Sequence, residues 1–208
     1  MIKSISKCQD TIINSILKLH NNNEPIELDP TYSKGVFYKG DIAKPKYKFD
    51  INPYSEEVVK ACCTQLPIDD ESIGCIMFDP PFLATKGKSL SKNDNSNLIN
   101  KRFSVFPTEK ELFQFYDKSL VEFYRIIKKN GILIFKCQDK VSSGKQYFSH
   151  CYIHEKAKSI GFYPIDFFVL EAKSRMIPKW QRNQKHARKY HSYFWVFKKC
   201  KKSVSYSL

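Results

Sequence analysis

Gly74-Cys75-Ile76-Met77-Phe78-Asp79-Pro80-Pro81-Phe82 is the stretch whose reading decides the fold. Gly74 to Phe78 is a short apolar run, the kind that forms a strand buried on both faces. The run stops at a carboxylate. Two consecutive prolines then fix the backbone and remove two amide donors, while their carbonyls remain. The segment therefore reads as a buried strand that ends in a rigid, acceptor-rich turn. In open α/β sheets, ligands bind beyond the carboxyl ends of such strands.

Working outward from that turn, the best helix follows it. Thr108 and Glu111 form a capping box, and Leu112, Tyr116, Leu120, Phe123 and Ile127 make one apolar stripe. Lys128-Lys129-Asn130-Gly131 supplies the end of that helix. Ile132–Phe135 reads as a buried strand, Phe148–Ser159 as a helix, and Ile165–Glu171 and Ser192–Phe197 as the last two strands. Upstream, Gln9–His20 is a helix with Ile12, Ile13, Ile16 and Leu17 on one face. Pro25–Asp29 and Tyr47–Asp50 read as strands. Strands alternating with helices predict an α/β fold with a mostly parallel sheet and helices on both faces. A loop joins the final two strands, so an antiparallel strand is expected near the C-terminus. Asp29, Asp50 and Asp79 each fall at the end of a predicted strand.

Composition bounds the partners. A chain of 208 residues, 42% hydrophobic, fits a single domain spanning 1–208, with a basic tail from about 198. No apolar run is long enough to span a bilayer. The start, Met1-Ile2-Lys3-Ser4-Ile5, lacks the features of a secretory signal, so the expected location is the cytoplasm. The seven cysteines show no CxxC spacing and read as small buried hydrophobes. His150 and His154 flank Cys151 on a predicted helix surface, with no pattern to complete a zinc site; no metal is expected. The net charge is +14, and from Ala172 onward eleven Lys and Arg occur without one acidic residue. That asymmetry favours a polyanionic partner.

The turn itself suggests a chemistry. The Asp79 carboxylate and the Pro80 carbonyl could accept two amino protons, while Pro81 stiffens the turn and Phe82 offers a flat apolar face. Together these suit an aromatic ring that carries an amino group. From four residues alone, an ordinary Asp-Pro strand-ending turn is an equal reading.

With its surroundings, the turn resembles the motif of the amino-directed nucleic-acid methyltransferases, the N6-adenine and N4-cytosine enzymes. Leu66-Pro67, Asp70-Glu71-Ser72-Ile73 and Ile76–Phe82 are similar to their leucine–proline, serine and Asp-Pro-Pro block. Phe135-Lys136-Cys137-Gln138-Asp139 and His191–Phe197 look like the strands that complete their catalytic half. The nearest likeness is to small stand-alone DNA methylases of phages and mobile elements. The resemblance implies a Rossmann-like class I methyltransferase with a seven-stranded sheet, using S-adenosyl-L-methionine as cofactor. It implies cofactor contacts from Asp29, Pro30, Thr31, Gly35, Asp50 and Asp79, with Asp50 on the ribose hydroxyls. The family's turn after the first strand is richer in glycine than Asp29–Gly35. Its acid near the cofactor adenine is replaced here by Cys62-Cys63-Thr64, leaving that contact to a backbone amide or Asp69.

The implied activity is methyl transfer to the amino group of a base flipped out of DNA. Aspartate at the first motif position favours adenine N6 over cytosine N4. RNA as substrate, and a relative that binds nucleic acid without catalysis, remain open. The chain has no room for a separate recognition domain, so recognition falls to loops. One follows the motif and carries Lys86, Lys88 and Arg102; the other carries Arg175, Trp180, Arg182, Lys185, Arg188 and Lys189. Basic residues interleaved with aromatics suit a phosphate backbone and an unstacked base.

Overall fold

In chain order the strands are β1 (Ile5–Ser6), β2 (Leu28–Asp29), β3 (Tyr47–Asp50), β4 (Val59–Lys60), β5 (Ile73–Phe78), β6 (Ile127–Cys137), β7 (Lys140–Ser142), β8 (Lys145–Tyr147), β9 (Phe162–Glu171) and β10 (His191–Lys199). The helices are α1 (Gln9–His20), α2 (Glu109–Ile126) and α3 (Ser149–Ile160). These elements come from a computed structural model that describes residues 1–38, 40–82, 84, 106–142, 144–173 and 184–203.

Eight strands form one sheet in the order β1-β9-β10-β6-β5-β2-β3-β4, and β7 pairs with β8 as a separate hairpin. Only β10 runs against its neighbours β6 and β9; every other pairing in the large sheet is parallel. The expected antiparallel C-terminal strand is present. The sheet has one strand more than the seven expected, because Ile5 and Ser6 add to the β9 edge opposite Val169 and Leu170.

The run read as a buried strand is buried on both faces. Ile76 and Phe78 of β5 point into a core with Leu133 and Phe135 of β6 and with Leu112, Tyr116, Leu120 and Phe123 of α2. Cys75 and Met77 point the other way, into a core with Ile12, Ile13 and Ile16 of α1. Period-two alternation splits one apolar run between two cores, which is why the run carries no polar residue. Each fully buried side chain of this size contributes about 1.5–3 kcal/mol.

Helices thus cover both faces, but unevenly. Among the described residues the connections β2–β3, β3–β4 and β4–β5 hold no α-helix, only a 3-10 turn at Val36–Tyr38. Tyr32, Phe37, Tyr38, Ile42 and Val58 from these loops fill the space that a helix would take. The apolar residues there follow no 3.6 period, so packing is achieved by aromatic side chains on irregular backbone.

The capping box is formed, with the Glu111 N–H donating to Thr108 Oγ1 at 3.2 Å. The end of α2 differs from expectation. Ile127 turns extended, φ −72° and ψ 129°, and pairs with Ile73, so β6 begins where the helical stripe still had a member. Asn130 takes φ +66°, and at Gly131 a Cβ would lie 2.9 Å from the Gly74 carbonyl oxygen. That close approach of β5 and β6 explains the glycine better than a helix cap does. At the C-terminal side, β10 runs through Lys199, whose ammonium meets Glu71 at 2.9 Å and the Tyr124 carbonyl at 2.7 Å. Lys198 and Lys199, placed by the sequence reading in the basic tail, therefore belong to the sheet.

No helix among the described residues is long and apolar enough to cross a membrane. The cysteines divide: Cys63, Cys75 and Cys137 are buried, whereas Cys8, Cys62 and Cys151 are exposed and Cys200 is intermediate. The reading of all seven as buried hydrophobes holds only for the first three.

Candidate active site

The order of the sheet reverses between β5 and β2. From β2 the chain moves outward through β3 to β4, then returns to β5 and proceeds the other way. Such a switch point leaves a crevice beyond the strand ends. In this chain an open cleft lies there. Pro30, Thr31 and Ser33 come from the loop after β2, and Asp50, Ile51 and Asn52 from the end of β3. Ala61, Cys62 and Cys63 follow β4, while Asp79 and Pro81 follow β5; Phe115 of α2 completes the wall.

The loop after β2 is built on Asp29. This carboxylate is 1% exposed. Its Oδ1 accepts the Thr31 N–H at 2.8 Å and the Thr31 hydroxyl at 3.2 Å, and its Oδ2 accepts the Tyr38 hydroxyl at 2.8 Å. Burial pushes its pKa up to about 7 against these three donors. The same burial and the adjacent Asp29 raise the Tyr38 hydroxyl far above its ordinary range. Asp29 does not line the cleft; it shapes the backbone that does. Gly35 also stands behind the wall. It sits at φ +63° where a Cβ would fall 2.6 Å from the Tyr32 hydroxyl, so the ring of Tyr32 can stack on Tyr38 at 5.3 Å.

The loop manages with one glycine because a serine adopts the second left-handed position. Ser33 takes φ +49°, which aims its N–H at Asp50 Oδ2, 2.9 Å away. Asp50 Oδ1 accepts the Asn52 N–H at 2.8 Å. Both oxygens are thereby oriented, and each keeps lone-pair capacity toward the cleft.

The Asp79 turn is tied down from three sides. Its N–H donates to the Thr31 hydroxyl at 3.2 Å, so one threonine joins the β2 and β5 loops. The Tyr116 hydroxyl donates to the Pro81 carbonyl at 2.6 Å. The Lys140 ammonium donates to the Phe82 carbonyl and pairs with Glu109 at 2.6 Å. Burial pulls the Lys140 pKa down, and Glu109 opposes that. Asp79 Oδ2 lies 3.4 Å from the Lys136 ammonium. Asp79 Oδ1 is buried and has no hydrogen-bond partner among the described residues. Burial raises the Asp79 pKa, and the Lys136 charge partly counteracts it.

Of the sequence-predicted site residues, Pro30, Thr31, Asp50, Asp79 and Pro81 meet in the cleft. Pro80 and Phe82 continue the same turn without lining it, and Asp29 and Gly35 support it from behind. Lys185 is exposed, and Arg188 and Lys189 are half-buried where the chain enters β10. Lys86, Lys88, Arg102, Arg175, Trp180 and Arg182 lie outside the described residues.

Near Leu66-Pro67 it is thiols, those of Cys62 and Cys63, that stand at the cleft wall. A hydrogen bond from Cys63, and then one from Thr64, pull Cys62 down to about 5, although partial burial opposes them. Behind them, Glu122 Oε1 accepts the Leu66 N–H at 2.7 Å, and Arg125 bonds Glu122, Asp70 and the Leu66 carbonyl. The sequence reading did not single out Ser33, Tyr116, Glu122 or Lys136. Tyr116 was assigned to the core stripe, and the others carry no local pattern. Among the described residues no group of three or more His, Cys, Asp and Glu is arranged to hold a metal. His150 is instead bonded to Asp139 at 2.8 Å, and His154 stacks on Trp195 at 5.1 Å.

No family model matches the chain, and no curated protein matches it by sequence. Solved structures do. The chain is similar to the partner of the Haloferax volcanii Trm112 methyltransferase activator in their complex, a protein provisionally named a methyltransferase. The identity is 12% over 89% of this chain and 92% of that chain, with a TM-score of 0.50. It is also similar to a SAM-dependent methyltransferase of Archaeoglobus fulgidus, 12% identical over 91% of this chain and 94% of that one, TM-score 0.48. A third similar structure is a Thermus thermophilus protein provisionally named a DNA modification methylase, solved with S-adenosyl-L-methionine. It is 14% identical, with 68% of this chain and 52% of that chain covered and a TM-score of 0.45. The chain thus spans about half the length of the Thermus protein. At 12% identity and a TM-score of 0.50, what the chain shares with the Haloferax protein is the fold alone, a Rossmann-like α/β sheet.

Proposed function

We propose that this chain, acting as one domain, transfers a methyl group from S-adenosyl-L-methionine to the exocyclic amino group of a base in DNA, adenine N6 in the first instance. The observation that carries the reading is Asp79 Oδ1: a buried acceptor without a partner among the described residues, beside a cleft at the switch point of the sheet. A buried acceptor left unpaired costs about 1–3 kcal/mol, and it is tolerated where a ligand supplies the donor.

The cleft suits the cofactor. Asp50 offers oriented acceptors for a pair of ribose hydroxyls, Ile51, Ala61 and Phe115 offer apolar surface to a purine, and Pro30 to Ser33 present the loop to the remainder. When bound, the cofactor would supply a methyl group on a positively charged sulfur; transfer would break that S–C bond, leave a neutral thioether and release one amine proton to solvent as the N–C bond forms. The protein's task is then orientation. An aromatic amine is a weak nucleophile because its lone pair is delocalised into the ring. Hydrogen bonds from its protons to Asp79 Oδ1 and the Pro80 carbonyl draw the nitrogen toward tetrahedral geometry and free that lone pair. Phe82 stacks on the ring. Thr31 keeps the cofactor loop and the catalytic turn in register. The basic segment with Lys185, Arg188 and Lys189, together with the other basic loop residues named above, holds the phosphate backbone.

The test is to incubate the protein with methyl-labelled cofactor and either DNA or RNA, then digest the polymer to nucleosides for mass spectrometry. The expected product is N6-methyladenine in DNA. N4-methylcytosine alone would overturn the choice of base, and label only in RNA the choice of polymer. Absence of cofactor binding by calorimetry would overturn the enzyme.

A further inference from the structure

Lys136 lies in β6, with its side chain only 13% exposed. Its ammonium is 3.4 Å from Asp79 Oδ2 and 3.1 Å from the Gln9 Oε1 of α1. It sits over the rings of Phe37 at 4.8 Å, Phe194 at 5.7 Å and Phe82 at 5.8 Å. Burying an ammonium costs several kcal/mol unless it is paired. Here four separate parts of the chain converge to accommodate it: α1, the turn after β2, the Asp79 turn and β10. Its cage leaves it little access to a polymer, so a direct phosphate contact is a poor explanation for it. What it does reach is one oxygen of Asp79, and the other oxygen is the one without a partner among the described residues.

We infer that Lys136 is a positioning residue, which anchors Asp79 through Oδ2 so that Oδ1 stays turned to the acceptor amine. The inference rests on the proposed methyl transfer. Without the anchor the two oxygens of a carboxylate are equivalent, and rotation about its last bond would exchange them. The anchor also sets the charge. Burial favours protonation of Asp79, and a protonated carboxyl would offer a donor where the amine needs an acceptor. The other acids nearby are Asp29 on β2, which the charge of Asp79 helps to raise, and Asp50 in the same cleft; neither brings a compensating charge. Tyr116 of α2 faces the turn but commits its hydroxyl to the Pro81 carbonyl, and Gln9 and Thr31 are neutral. Among the described groups facing Asp79, Lys136 alone brings positive charge within reach.

The test compares the wild-type protein with Lys136→Met, which fills the aromatic cage without charge, and Lys136→Arg, which keeps the charge. Lys136→Gln replaces the Met variant if thermal melting shows that Met disturbs the fold. In protein labelled with 13C at the aspartate carboxyls, the Asp79 resonance is assigned with Asp79→Asn and titrated without any substrate. An opposite charge at this distance lowers a carboxyl pKa by about one to three pH units. The Asp79 midpoint is expected to rise by that much in Lys136→Met and to stay near wild type in Lys136→Arg. With substrate, the acid limb of kcat should move upward by the same amount, while cofactor affinity changes less than about threefold, since Lys136 does not line the cleft. An Asp79 midpoint that does not move, or a kcat loss equal at every pH that Arg fails to restore, would overturn the role. If the wild-type protein methylates nothing, the proposed function fails, and the substrate-free titration still decides whether Lys136 governs Asp79.

Discussion

Asp29 closes β2 and Asp79 closes β5, neighbouring strands in the sheet, and burial raises the pKa of both. Their hydrogen bonding differs. Asp29 receives three donors, two from Thr31 and one from Tyr38, and lies wholly inside the wall. Asp79 receives only Lys136, on one oxygen, and leaves the other facing no donor among the described residues. The lesson is that burial alone does not distinguish a structural acid from a reactive one. A satisfied carboxylate stabilises a loop; an incompletely satisfied one at a cleft is prepared for a ligand.

The comparison can be broken most forcefully through pH. The folded-state pKa of Asp29, about 7, exceeds its ordinary 3.8. A raised carboxyl contributes stability that is full below the unfolded value and is lost as pH rises through the folded one. Between pH 4 and pH 7 the wild-type protein should therefore lose stability that Asp29→Asn retains, up to on the order of 4 kcal/mol. Urea unfolding of both proteins across that range measures the difference. Parallel curves would mean that Asp29 ionises without penalty, and a raised pKa would no longer be what the two acids share.

The complementary change sharpens the contrast. Asp79→Asn should reduce methyl transfer by about 10²–10³-fold, the scale of losing one hydrogen-bonding group aimed at the reacting atoms, while cofactor affinity stays within about threefold. Turnover assays with calorimetry on the same samples check this; wild-type turnover would remove Asp79 from the chemistry. A third strand-end acid tests the proposed division between cofactor and acceptor. Asp50→Ala should weaken cofactor binding by about 1.5–3 kcal/mol, the worth of a charged hydrogen bond. An unchanged dissociation constant would take Asp50 out of the cofactor site.

Much of this was legible without coordinates, and the parts that were not have physical reasons. The two-residue strands β1 and β4 are too short for a periodicity to exist. Ile127 fits the helical stripe of α2 as well as it fits a strand, and only its pairing with Ile73 decides for the strand. Lys136 follows an apolar run as any strand-ending lysine might; its partners are 127 and 57 residues away in sequence.

The sequence by itself determined the central strand with its Asp-Pro-Pro turn, the capped helix α2, the basic C-terminal segment and the α/β class, because these depend on local stereochemistry and on periodic apolar pattern. Tertiary structure alone decided which strand-end acids face the cleft. Asp29 and Asp79 are the same residue type in the same local setting, and what separates them is the count of donors delivered by distant residues: Tyr38 and Thr31 to one, Lys136 to the other. Local sequence sets where a carboxylate sits along the chain, but its function depends on which of its lone pairs the fold leaves unfilled.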